Sequence, residues 1–157
     1  MGYKLQIGEP IVDVDKEYNY VSVDVKLEQH DKAPAFGEPT DHQNQRWPSY
    51  SSWADFCRFA GLYEMFFDKQ DGLINEHPGQ MPLLPKHKEQ IDEALKRYKE
   101  KYPNAVAGYS PKINFSKNLF EDADWPEKNN WLTRLEWLKY WVDWALENCK
   151  QPIFKNT

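Results

Sequence analysis

The sequence predicts an α+β fold, a small N-terminal antiparallel β-sheet arranged as a hairpin or meander and packed against about three α-helices, in one domain spanning residues 1–157. Three observations lead there. Val21, Val23, Val25 and Leu27 alternate strictly with Ser22, Asp24 and Lys26, which is the period of a strand with one buried face. Three later stretches repeat apolar residues at helical spacing. A chain of 157 residues suits one core, because a fold of this size buries roughly 68–70% of the surface its unfolded chain exposes.

Taken in order, Tyr3 to Ile7 and Ile11 to Val14 are expected to be extended around a break at Gly8-Glu9-Pro10. The polar link from Asp15 to Asn19 joins them to the alternating run, and two or three strands need helices to cover their apolar face. Ser52 followed by Asp55 resembles a capping box, and Trp53, Phe56, Cys57, Ala60 and Phe67 then recur at helical spacing, placing a first helix from Trp53 to about Phe67. His77-Pro78-Gly79 punctuates the connection that follows. Pro85 opens a second helix with Ile91, Leu95, Tyr98 and Tyr102 on one stripe, and Pro103 ends it. Asp92 and Glu93 precede Lys96 and Arg97 by four residues, the favourable order for ion pairs on a solvated face. No period wins from Asn104 to Asp124, although Ile113 and Phe115 allow a short strand. The final helix, from Glu127 or Asn129 to Cys149, carries one stripe of Trp131, Leu135, Leu138, Val142 and Ala145 and a second of Trp137, Trp141 and Trp144. Two apolar faces imply burial on two sides, within the domain or against a partner chain such as a second copy. Trp-Pro-x4-Trp occurs at residues 47–53 and again at 125–131, which reads as a repeated helix-entry device rather than a duplication.

Composition narrows the function classes. Leu, Ile, Val and Phe make up only about a fifth of the chain, whereas seven Trp and nine Tyr supply large rings with polar tips, so the core should be aromatic. A net charge of −5 argues against coating duplex nucleic acid. Cys57 and Cys149 lie far apart without metal or redox spacing, which fits a reducing cytoplasm. There is no apolar run of membrane-spanning length and no hydrophobic signal core at the start of the chain. His30, His42, His77 and His87 lack metal-binding spacing, and no cofactor motif is present.

The run from Phe36 to Trp53 has neither helical nor strand periodicity and is rich in hydrogen-bonding and aromatic side chains, the composition of a binding loop entering a helix. Arg46 offers a planar fork to an anion, Trp47, Tyr50 and Trp53 offer faces for a flat ring, and Asn44, Ser51 and Ser52 offer orienting hydrogen bonds near a helix N-terminus. The set points to non-enzymatic capture of a small anionic ring compound such as a nucleotide. A second reading is a protein-binding module or inhibitor, of the compact kind that mobile elements encode, acting through Trp137, Tyr140, Trp141 and Trp144. In that reading core packing is the competing role for the same rings. A third is a hydrolase built on His42 or His77 with the neighbouring Asp41 or Glu76.

Overall fold

In the computed structural model the described residues are 2–11, 24–34, 42–105 and 125–157, with side chains of the last segment described from residue 131 onward. The fold is α+β. Strands β1 (Leu5–Gly8), β2 (Pro10–Ile11), β3 (Asp24–Val25) and β4 (Gln45–Arg46) precede helices α1 (Tyr50–Ala60) and α2 (Tyr63–Phe67). Strand β5 (Gly79–Pro82), helices α3 (Pro85–Lys101) and α4 (Trp125–Asn148), and strand β6 (Ile153–Asn156) follow.

The main sheet has four antiparallel strands in the order β4-β1-β6-β5. It is assembled from the whole chain rather than from the N-terminal part alone. β1 supplies Leu5 and Ile7, both with no exposed surface, and β6 sets Phe154 opposite Ile7. These alternate residues share the face that meets the helices. On the other face Lys155 is buried beside Asp24 of β3, 3.7 Å away.

The expected N-terminal hairpin is present as the separate pair β2-β3, with Pro10 opposite Val25 and Ile11 opposite Asp24. Val25 is buried but Leu27 is 53% exposed, so the alternation stops being a buried face at that residue. Val21 and Val23, like Val12, Val14 and the possible strand around Ile113, lie outside the described residues.

The first helix differs from its expected span. Ser49, not Ser52, is its N-cap, because the Ser49 hydroxyl accepts the Ser52 amide. Gly61 then adopts a left-handed conformation (φ 73°) and its amide bonds the Arg58 carbonyl, closing α1 before α2 begins. α3 matches expectation, with Pro85 at its start. Its Glu93–Arg97 pair forms at 3.9 Å, while Asp92 turns to Lys88 (3.0 Å) and to Lys139 of α4 (2.8 Å). Both stripes of α4 are used inside the domain: Leu135, Leu138, Val142 and Ala145 are buried, and so are Trp137 and Trp141. No helix among the described residues is long and apolar enough to cross a membrane.

Candidate functional site

From Asn44 to Pro48 the side chains alternate inward and outward, as in an extended strand: Asn44, Arg46 and Pro48 are buried, and Trp47 is exposed. The inward residues are consumed by the fold. Asn44 donates to the carbonyls of Ile7 (2.8 Å) and Lys26 (2.9 Å) and accepts from the Glu28 amide (3.0 Å), which ties β1 to the segment after β3. Arg46 is 8% exposed and its guanidinium stands 6.0 Å from the centre of the Trp137 ring. Trp53 is sealed against Phe56 and Phe66. Ser52 accepts from Arg134 and Ser49 and donates to the Ser49 carbonyl. The seven residues expected to share one ligand cleft are therefore divided between interior and surface.

What remains outside forms a corner between β4 and α1. The N-terminal arm lies across it: Gly2 bridges to Ser49, and the Tyr3 amide donates to the Pro48 carbonyl at 2.9 Å. Glycine is required at position 2, since a methyl group there would overlap the Pro48 carbonyl and Ser49 backbone. Tyr3, Lys4, Trp47, Ser49 and Thr157 line an open cavity of about 300 Å³. Trp47 is 55% exposed, and the Lys4 ammonium lies 6.0 Å from the centre of its ring. Tyr50 and Ser51 are exposed at the adjoining first turn of α1.

Beside this corner the structure brings in residues that sequence distance conceals. The Tyr50 hydroxyl is 3.1 Å from Nε2 of His77, whose Nδ1 is 2.6 Å from Oδ1 of Asn156. Tyr3 meets both rings edge-on. His77 reaches this position from the turn before β5, where the His77–Pro78 peptide is cis. Its partners are thus Tyr50 and Asn156 rather than the adjacent Glu76 carboxylate.

The other titratable candidates have structural contacts. His42, at φ 66°, bonds the Ala33 carbonyl through Nδ1 at 3.0 Å, and Asp41 lies outside the described residues. The Cys57 thiol is pushed well up by burial, which the guanidinium groups of Arg134 and Arg58 only partly offset. Among the described residues no group of three or more His, Cys, Asp and Glu is placed to hold a metal ion.

The tryptophan face of α4 is covered by His30. Its ring lies 4.7 Å from that of Trp141 and 5.1 Å from that of Trp144, and Nδ1 is 3.1 Å from the Tyr140 hydroxyl. Trp137 and Trp141 are core, while Tyr140 and Trp144 stay partly open and line a second cavity of about 490 Å³ with Lys32, Glu136 and Glu147. In comparisons with protein-family models, curated proteins and solved structures nothing matches this chain.

Proposed function

We propose that the protein is a non-enzymatic binder of a small anionic, ring-containing ligand such as a nucleotide, taken at the corner between β4 and α1. The observation supporting this reading is Trp47, a large indole 55% exposed at the rim of a cavity, with the Lys4 ammonium beside its ring. An exposed ring next to a cation combines stacking with anion pairing. In this reading Trp47, Lys4 and Ser49 contact the ligand in the cavity, with the exposed Tyr50 and Ser51 of the adjoining helix turn at its margin. Asn44, Arg46, Ser52 and Trp53 hold the corner in shape. Free thiols at Cys57 and Cys149 fit a reducing, cytoplasmic setting.

A thermal-shift panel of mono-, di- and cyclic nucleotides tests this, because selective binding to the native state raises the melting temperature with ligand concentration. The unaltered protein should respond, and Trp47→Ala and Lys4→Ala should lose the response while keeping the unliganded melting temperature. Absence of any shift across the panel removes the reading. A protein-docking role for α4 is the second reading, supported by the partly open Tyr140 and Trp144 beside the larger cavity. It requires Trp144→Ala to abolish capture of the partner while the domain stays folded.

A further inference from the structure

The hydrogen-bond chain Tyr50–His77–Asn156 has a direction fixed by its buried end. Asn156 has no exposed surface, and its amide nitrogen donates to the carbonyls of Glu76 (2.9 Å) and Gly79 (3.3 Å). Its Oδ1 can only accept, so Nδ1 of His77, 2.6 Å away, carries the proton. In the neutral imidazole, the form that can act as a base, Nε2 is then the acceptor and the Tyr50 hydroxyl at 3.1 Å donates to it. A hydroxyl, a base and a group orienting the base, in that sequence, are the parts of an activated nucleophile. Tyr3 keeps the two rings in place edge-on, at 4.7 Å from Tyr50 and 5.0 Å from His77. Tyr50 is 38% exposed, so an electrophile can reach it.

We propose that Tyr50 is a nucleophile assisted by His77 and positioned through Asn156, and that it accepts an acyl group from an activated ester. The Tyr50 oxygen attacks the ester carbonyl carbon as its proton passes to Nε2 of His77. The new O–C bond forms, the ester C–O bond breaks, and the departing alkoxide or aryloxide takes the proton back from the imidazolium. The inference does not depend on ligand capture at Trp47.

Tyr63 provides an internal control, since it is 40% exposed on the same molecule. The protein is treated with p-nitrophenyl acetate and acetylation of each tyrosine is followed by peptide mass spectrometry. Tyr50 should react about 10²-fold faster than Tyr63, the lower end of what a positioned base contributes. His77→Phe, which retains a ring against Tyr3 while removing both nitrogens, should bring Tyr50 down to the Tyr63 rate with the circular dichroism spectrum unchanged. Equal rates at Tyr50 and Tyr63 in the unaltered protein overturn the proposal without any variant. A fast Tyr50 that stays fast in folded His77→Phe, or in His77→Gln should the first variant not fold, overturns it equally.

Discussion

Asn44 is a stringent test of how the corner is built, because its residue type suits a ligand and its contacts suit a brace. In Asn44→Ala the carbonyls of Ile7 and Lys26 lose a donor and the Glu28 amide loses an acceptor. Three neutral hydrogen bonds at about 1 kcal/mol each give a loss of about 3 kcal/mol, more where water cannot reach the groups left behind. For a chain of this length that lowers the melting temperature by about 6–12 °C. Asn44→Asp should cost still more, since a carboxylate oxygen would face the two carbonyls that the amide nitrogen now serves. Urea unfolding followed by tryptophan fluorescence measures both variants. A loss below about 0.5 kcal/mol for Asn44→Ala, the range of an ordinary surface substitution, would refute the bracing role. Ligand affinity lost without loss of stability would return Asn44 to the binding site.

Three further outcomes follow from the burial and contacts of His87, the α4 tryptophans and Gly2. His87 is buried at the start of α3 and its Nδ1 accepts the Leu84 amide at 2.9 Å; burial first, and then the charge of Lys86, lowers its pKa to about 4 against an attraction from Asp71. The unfolded chain therefore binds this proton near the ordinary value of 6.5 and the folded chain only near 4, so the contribution is complete above that ordinary value and is lost as pH falls between them. Over that window stability should drop by about 3 kcal/mol at about 1.4 kcal/mol per pH unit, and His87→Gln should flatten the drop in urea titrations at stepped pH. Trp141→Ala should cost about 3–5 kcal/mol as a core truncation, whereas Trp144→Ala should cost about 1–2 kcal/mol as loss of a half-buried ring; equal losses by urea unfolding would contradict the burial assigned to them. Gly2→Ala should lift the N-terminal arm, seen as faster hydrogen exchange at the Tyr3 amide with the Ile7 amide in β1 unchanged.

The elements legible in the sequence are those whose hydrophobic period and punctuation agree. α3 has its opening proline, its stripe and a terminating proline, and α4 is long enough for two stripes to register. Where signals are shorter than a period, tertiary pairing decides. β6 is four residues of a tail following Pro152, and it becomes a central strand only because β1 and β5 flank it. The stretch that forms β5 reads as a break because of its Gly and Pro, yet it is a strand at the sheet edge, where the missing amide of Pro82 can be tolerated.

The same physics explains the divided site. Strand periodicity is recognised when inward residues are apolar and outward ones polar, and from Asn44 to Pro48 the inward set begins with an amide and a guanidinium while the most exposed member is an indole. The period of two is present but its hydropathic contrast is inverted, so the segment reads as a loop of ligand-type residues. Side-chain chemistry alone therefore identified groups capable of recognising an anion and a ring without identifying the direction each one points. Direction was set by Leu5, which pairs with Arg46 in the sheet and fixes the register that sends Trp47 outward. His77 is legible as a candidate base, but only beside Glu76; its partnership with Asn156 is hidden because the two meet only when β5 and β6 pair so that Gly79 lies opposite Asn156. Any binding or acyl-transfer role of this corner consequently depends on the register of the β1, β5 and β6 pairings, and substitutions that shift that register should alter the environments of Trp47 and His77 together.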